Sequence, residues 1–466
     1  MTTLTSIIAP SNILTTSNTA TATNKTVNGA NNTLNVRMAN DVSGTLPTTN
    51  GGAGQTSYTD GQLLIGNTAG SLTKTTLTAG CNIAITNSGG SITIAYDPPL
   101  SYSIYAWGPA SCGTLGDNTT VSKSSPVSVV GGFTDWSDVA SGYAFSLAVR
   151  TNGTAWAWGQ ANNGKLGNNT VAGDVSSPVS VVGGFTDWCQ ISASAGTGHS
   201  LAVRTNGTAW AWGYNGQGQL GDNTTAQKSS PVSVVGGYTD WCQISAGLAF
   251  SVALRQNGTA WAWGVNTGGR LGDNTTVNKS SPVSVVGGFT DWSQISAGNN
   301  FSLGLRTNGT AWGWGYGNYG RLGDGTTTIR SSPVSVVGGF TDWCQVSAGS
   351  QHSLGLRTNG VLYAWGYGHQ GQIGDNAGVV QRSSPVSVVG GFTDWCQVSA
   401  GSNDSFGLRT NGTLWAWGYN SSGRLGDGTT TNRSSPVSVV GGFTDWFRIA
   451  CSLKGSQALA IRATPI

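Results

Sequence analysis

The chain contains no glutamate: all 19 of its acidic residues are aspartate, which removes one of the common side chains for general acid and base work. Charge of either sign is scarce. Only 9% of the 466 residues are charged, against roughly 25% in ordinary soluble proteins, so the surface has to be built largely from Ser, Thr, Asn and Gly. The net charge of +3 comes with no basic cluster, which argues against a nucleic-acid surface. No apolar run is long enough to span a membrane. Met1-Thr-Thr-Leu-Thr-Ser-Ile-Ile-Ala lacks the basic and apolar segments of a secretory signal. Three histidines, His199, His352 and His369, form no cluster with metal-ligand spacing, and no Gly-x-Ser-x-Gly elbow is matched by a suitable His and Asp. No enzymatic activity, no metal and no cofactor are expected.

What is present is periodic. Thr-Asp-Trp occurs seven times, ending at Trp136, Trp188, Trp241, Trp292, Trp343, Trp395 and Trp446, at intervals of 51 to 53 residues. A self-similar unit of about 50 residues marks a repeat architecture in which no unit buries its apolar face alone. Within one unit, Trp188-Cys-Gln-Ile-Ser and Ser200-Leu-Ala-Val-Arg read as strands, and Asn206-Gly207 as a type I′ hairpin turn. Thr208-Ala-Trp-Ala-Trp-Gly reads as the third strand and Pro231-Val-Ser-Val-Val, stopped by Gly236-Gly237, as the fourth. Four short strands are the content of one propeller blade. The first Trp-Gly strand, Ile104-Tyr-Ala-Trp-Gly, has no strand before it, and the last, Ala458-Leu-Ala-Ile-Arg462, has none after it. The two are expected to pair across a seam, hiding edges that an open array exposes. The expected fold is all-β: a seven-bladed β-propeller over residues 101–466, preceded by an extended fibrous β-rich segment over residues 1–100.

Val346-Ser-Ala-Gly-Ser-Gln-His-Ser-Leu-Gly-Leu356 and Trp212-Gly-Tyr-Asn-Gly-Gln-Gly-Gln-Leu-Gly221 resemble the signature segment and glycine-rich blade loop of the regulator of chromosome condensation repeats. That resemblance, over residues 101–466, implies a seven-bladed propeller. A plant ultraviolet photoreceptor of similar fold raises light sensing by clustered Trp, but its Gly-Trp-Arg-His-Thr motif is absent here. Residues 1–100 are Thr-, Asn-, Ser- and Gly-rich and hold no Trp. Asn82-Ile-Ala-Ile-Thr and Ser91-Ile-Thr-Ile-Ala alternate as short strands do. Leu46-Pro-Thr-Thr-Asn-Gly-Gly-Ala-Gly and Asp60-Gly-Gln-Leu-Leu-Ile-Gly-Asn-Thr-Ala resemble bacteriophage tail-fibre and virion-appendage sequence, which implies a homotrimer wound through residues 1–100.

Recurring residues are weighed as framework first. All 19 Trp lie in the propeller, and pairs such as Trp210 and Trp212 point to one strand face for packing between blades. Cys189, Cys242, Cys344 and Cys396 share a repeat position with Ser137, Ser293 and Phe447 and read as small buried side chains, while Cys112 and Cys451 are candidates for a contact across the seam. Arg150, Arg204, Arg255, Arg306, Arg357, Arg409 and Arg462 recur with the Asp of Thr-Asp-Trp, which favours structural pairing over an axial anion site. Loop aspartates such as Asp222 and Asp273 read as Asx turns.

Ser-Ser-Pro-Val-Ser-Val-Val-Gly-Gly is copied without change, whereas the loop after each Trp-Gly varies. Tyr214, Tyr316, Tyr319, Tyr367 and Tyr419, with Arg270, Arg321 and Arg424, are therefore the candidate binding residues, being the aromatic and planar cationic types favoured in recognition hot spots. The expected function is a structural virion appendage, a tail fibre or spike made in the host cytoplasm and located on the virion. Its propeller would bind a host-surface glycan or protein, its partners being itself and other virion proteins, with no nucleic acid and no membrane insertion. The alternatives are a capsid cement or decoration fibre, and a soluble protein-binding propeller acting as a small-GTPase exchange factor or enzyme inhibitor.

Overall fold

A computed structural model describes residues 100–465 apart from Thr197, Val379 and Ser456, and, ahead of these, the backbone of four short strands. The chain divides into two units, Met1–Pro98 and Pro99–Ile466. In the first, Leu63–Gly66 pairs antiparallel with Leu72–Thr75, and Ile83–Ser88 with Ser91–Tyr96, Ser88 standing opposite Ser91. The fibrous and trimeric character expected of residues 1–100 lies outside the described residues.

The second unit is the expected all-β propeller, with seven four-stranded antiparallel sheets among the described residues, blades 1 to 7, whose first strands begin at Trp136, Trp188, Trp241, Trp292, Trp343, Trp395 and Trp446. Blade 2 shows the pattern: Trp188–Ala193, His199–Arg204, Ala209–Gly213 and Lys228–Ser233, each hydrogen-bonded to the next. The first strands of all seven blades line an axial cavity of about 190 Å³. Blade 7 is made from both ends of the unit, Trp446–Cys451 and Ala458–Pro465 joining Leu100–Gly108 and Lys123–Ser128, with Ala460 opposite Tyr105.

The hairpin between second and third strands differs from the type I′ expectation. In blade 2 the Gly207 N–H donates to Arg204 O at 2.8 Å and the Arg204 N–H to Thr208 O at 3.0 Å. Gly207 has φ +74° while Asn206 does not adopt positive φ, which is the three-residue loop of a type I turn followed by a left-handed glycine. Asn206 serves differently: its Oδ1 accepts from the Thr208 N–H at 3.1 Å and hydroxyl at 2.7 Å. The Trp210 indole then donates to that hydroxyl at 3.1 Å.

Seven apolar clusters hold the ring together, one at each blade interface. Between blades 1 and 2, Phe145, Leu147 and Val149 meet Trp188, Ile191 and Trp212, with Trp210 half-buried beside them. Trp212 is fully buried, and its N–H donates to Lys165 O of blade 1 at 2.9 Å, so its polar atom is satisfied inside the core. A Cβ on Gly167, whose φ is +68°, would lie 2.7 Å from that indole nitrogen. Close approach of backbone to ring is why each of these loops ends in Leu-Gly or Ile-Gly.

The innermost strand of every blade has one edge without a neighbouring strand, and side chains close it. The N–H groups of Ile244, Ile295, Val346, Val398 and Ile449 donate to the Oε1 of Gln190, Gln243, Gln294, Gln345 and Gln397 on the preceding blade, at 2.8 to 3.1 Å. Ser192, Ser245, Ser296, Ser347 and Ser399 accept from the amide two residues further on, at 2.9 to 3.2 Å. Blades 1 and 7 carry Asp138 and Arg448 where the others have Gln. Asp138 accepts from the Ile191 N–H at 3.2 Å and pairs with Arg448 of blade 7 at 2.9 Å.

Removing one acceptor strands a buried amide, so Gln294→Leu is expected to cost about 1–3 kcal/mol, read as a lower urea midpoint in Trp fluorescence. Arg448→Ala, which leaves buried Asp138 without its cation, is expected to cost more than Arg448→Gln.

Candidate functional site

Antiparallel order puts the connections on two faces. Loops after the first and third strands share one end of the blades, the loop face; the Asn-Gly hairpins and Phe-Thr-Asp segments share the other, the hairpin face. On the hairpin face, Arg204 Nε donates to Asp187 Oδ1 at 2.7 Å and its guanidinium lies 4.3 Å from the Phe185 ring centre. An equivalent Arg–Asp pair forms in all seven blades. These arginines are neutralised and stacked on aromatic rings, which makes them anchors for the hairpin rather than an axial anion site.

The expectation of small buried cysteines is corrected: Cys189, Cys242, Cys344 and Cys396 are exposed. Each follows the buried Trp at a point where the strand register slips by one residue, and such a bulge turns the extra side chain outward. The Cys189 thiol donates to Val203 O at 3.4 Å. Residual burial and nearby aspartates push these thiols up. Cys112 and Cys451 are both free: Cys112 accepts from Gln160 Nε2 in blade 1 at 3.9 Å, whereas the Cys451 N–H donates to Ser399 of blade 6.

The variable residues all fall on the loop face, but unevenly. Tyr319 of blade 4 packs edge-on against Tyr367 of blade 5, centroids 4.9 Å apart, and Tyr367 stacks on His369 at 4.4 Å and 11°. Arg321 lies 5.6 Å from the Tyr319 ring centre and Arg270 5.5 Å from that of Tyr316. Blades 3, 4 and 5 thus bring Arg270, Tyr316, Tyr319, Arg321 and Tyr367 together. Tyr419 and Arg424, 4.6 Å apart, form a separate pair in blade 6, and Tyr214 stands apart in blade 2. The three arginines are buried, at 5 to 6% exposure, beneath the tyrosines, so the aromatic rings are the solvent-facing layer. His369, not among the expected binding residues, joins the cluster; its position two residues after Tyr367 is the available signal.

Tyr319 is 38% exposed and has φ +64°. Gly268, Asn163 and Cys112 hold that backbone position in blades 3, 1 and 7, the first two being residue types that tolerate it. A tyrosine there costs of order 1 kcal/mol and aims a large ring outward.

The loop aspartates close Asx turns, as in Thr275 N–H to Asp273 Oδ1 at 3.0 Å, and their second oxygen faces a cation, as in Arg330 to Asp324 at 2.8 Å. Among the described residues no group of three or more His, Cys, Asp or Glu is placed to hold a metal ion, and no helix is long and apolar enough to cross a membrane.

One further ring lies below the loop face, at the start of the second strands: Phe145, His199, Phe250, Phe301, His352, Asp404 and Gln457. His199 and His352 are fully buried and bond the hydroxyls of Ser251 and Ser405 on the next blade at 3.0 and 2.8 Å. Burial pushes both imidazoles down to about 3 and pushes Asp404 up to about 6, against the pull of Arg424. The signs oppose. Each histidine binds its proton only when unfolded, so its contribution is lost as pH falls from about 6.5 toward 3. Asp404 is protonated first in the fold, so it opposes that loss between about 6 and 3.8. Asp138, also pushed up by burial, opposes the loss as well, so the net expectation in this window is a loss of no more than roughly 1.4 kcal/mol per pH unit, one histidine's worth. His352→Phe, matching Phe301, is expected to flatten it, as measured by urea midpoints across that range.

Comparison with known proteins places this geometry. The model of the Regulator of chromosome condensation (RCC1) repeat matches residues 152–203, 206–254, 257–305, 308–356 and 411–459, more than half of the chain, and a second model of the same repeat matches six segments between residues 136 and 424. The E3 ubiquitin-protein ligase HERC2 of Homo sapiens is 30% identical over 312 residues, 65% of this chain but 6% of HERC2. The Ultraviolet-B receptor UVR8 of Arabidopsis thaliana is 27% identical over 308 residues, 65% of this chain and 69% of UVR8. Among solved structures, Prp20p from Saccharomyces cerevisiae, described with its binding to Gsp1p and histones, superposes with a TM-score of 0.69 at 21% identity, covering 79% of this chain and 92% of that one.

These relatives are cellular proteins of human, plant and yeast, and they correct the expected virion-appendage function and virion location. The physical reason is where specificity resides. The propeller's buried, periodic positions identify it, whereas the Thr-, Asn- and Gly-rich motifs of the first hundred residues, which suggested a phage particle, are a composition with little specificity and lie largely outside the described residues. Matched by its repeat over more than half its length and folded into seven such blades, the chain belongs to the Regulator of chromosome condensation (RCC1) repeat family.

Proposed function

We propose that the propeller is a regulatory protein-binding module that engages a partner protein through its loop face, the exchange of nucleotide on a small GTPase being the activity to test. One observation carries this reading: Tyr319, exposed and in a backbone conformation unfavourable for tyrosine, is held against Tyr367 in loops that vary while the framework is copied. Backbone strain at an exposed aromatic residue has no use in packing, whereas rigid aromatic side chains are the groups on which interface energy concentrates. Tyr316 and Tyr367 extend the same surface, while Tyr214 and Tyr419 lie on the same face in other blades. Protein binding is also what the printed description of Prp20p reports of that protein.

The test is nucleotide release from a panel of small GTPases with the full chain and with Tyr319→Ala/Tyr367→Ala. Stimulated release that falls about tenfold in the double variant, as loss of a hot-spot residue implies, supports the reading. Release from every GTPase at its unassisted rate removes exchange, and equal stimulation by both proteins removes these tyrosines as the contact.

A further inference from the structure

The charges of the propeller are matched with unusual completeness, except in one place. Residues 1–100 carry three basic and three acidic residues, so the whole net charge of +3 belongs to the propeller. Fourteen ion pairs use every described propeller carboxylate but Asp174 and Asp404, and every described propeller cation but Lys165, Arg270, Arg321, Arg424 and Lys454. All five unmatched cations belong to the loop face. Four of them stand at one repeat position, before Leu166, Leu271, Leu322 and Leu425, and Lys454 lies in the loop between the first two strands of blade 7.

Two of the four have a carboxylate within electrostatic range, Asp174 for Lys165 and Asp404 for Arg424. Arg270 and Arg321 have none. Their donors reach only neutral oxygens: Arg270 to Thr267 O at 3.1 Å and Asn300 Oδ1 at 2.8 Å, Arg321 to Asn318 O at 2.9 Å and Ser350 O at 3.2 Å. Both are 5% exposed, and they lie near enough to each other that Arg270 adds to the depression of Arg321, which burial brings to about 10. Two buried like charges without a counter-ion are costly, and no other cation in the propeller is left so. They sit directly under Tyr316 and Tyr319, where two buried uncompensated charges lie beneath solvent-facing rings.

We infer that the loop face over blades 3 to 5 receives an acidic segment of a partner protein, whose carboxylates supply the counter-charge to Arg270 and Arg321 while Tyr316, Tyr319 and Tyr367 pack against it. The inference rests on the protein-binding reading above and names the chemistry of the partner. Nucleic acid is also acidic, but it calls for cations spread along a track to follow its phosphates, whereas here the unmatched charge is confined to a few buried groups. Carboxylates on a short peptide suit two fixed guanidinium edges.

The experiment is fluorescence anisotropy of the full chain with fluorescein-labelled poly-Asp, poly-Asn of equal length, and oligo-dT. Poly-Asp is expected to bind, to weaken as sodium chloride is raised, and to bind about tenfold more weakly to Arg270→Gln/Arg321→Gln, a loss typical of interfacial charge pairs. Because those arginines are buried, Tyr319→Asp is the second variant: it places a repelling charge on the exposed ring position without touching the core, and is expected to weaken poly-Asp at least as much. Arg357→Gln, on the hairpin face, is expected to leave binding unchanged. Poly-Asn binding as tightly as poly-Asp, tighter binding of oligo-dT, or full poly-Asp affinity in Tyr319→Asp each overturns the inference. A small GTPase that responds through Tyr319 and Tyr367 with no dependence on salt or on the two arginines overturns it too, while leaving the protein-binding reading in place. Poly-Asp binding as expected, with no GTPase responding, has the opposite meaning: the acidic-segment inference stands and nucleotide exchange falls.

Discussion

Seven strand edges meet around the axis with no further strand to pair with, and satisfying them is the constraint on which the rest of this structure depends. An unpaired buried amide costs about as much as the bond it lacks, and a ring of seven multiplies the cost. The chain answers with a side chain from the neighbouring blade, Gln to the amide of Ile244 and its equivalents and Ser to the next amide but one. The solution works only if each blade is offset from the last by the same rotation, which ties the length of the repeat, the Leu-Gly turn against the next blade's Trp and the buried Phe and Leu of the second strand to a single geometry. Most variation therefore falls in the loops, and where a residue facing a neighbouring blade does change, as at His199, His352 and Asp138, it finds a partner there.

That division explains the unusual economy of charge. On the hairpin face and the periphery every cation meets an aspartate, so those surfaces contribute structure and little long-range field. The loop face departs from the rule, and in blades 3 to 5 two buried arginines without a counter-ion lie beside a tyrosine held at positive φ. Where a repeat protein breaks its own pattern twice at one place, the framework gains nothing by it.

The repeat period made the seven-bladed class legible, because Trp spacing reports blade geometry directly. Features that depend on local register were less so. Asn206-Gly207 suggests a type I′ turn, but the Asn side chain is engaged in holding Thr208, and the hairpin takes the longer form. Cys189 looks like a buried position from its substitution by Ser137 and Ser293; the bulge that exposes it follows from a one-residue slip that no composition reveals. The Asp138–Arg448 latch was visible as two departures from Gln, in the first and last blades, yet its meaning needed the closed ring. In the candidate site, the tyrosines could be picked out by variability, while the burial of Arg270, Arg321 and Arg424 beneath them could not. The virion reading drew on the Thr- and Asn-rich first hundred residues, which carry no such geometric constraint.

Blade 7 has a consequence for the birth of the protein. Its third and fourth strands are among the first parts of the propeller to leave the ribosome, and its first two are the last. Blades 1 to 6 have all their strands in order and can assemble as they emerge, but Leu100–Gly108 has only Lys123–Ser128 beside it, and its other edge must wait for Ala458–Pro465. For most of its synthesis the nascent chain is an open arc with Trp107 uncovered, and ring closure is a late, all-or-none event that a truncated message can never reach.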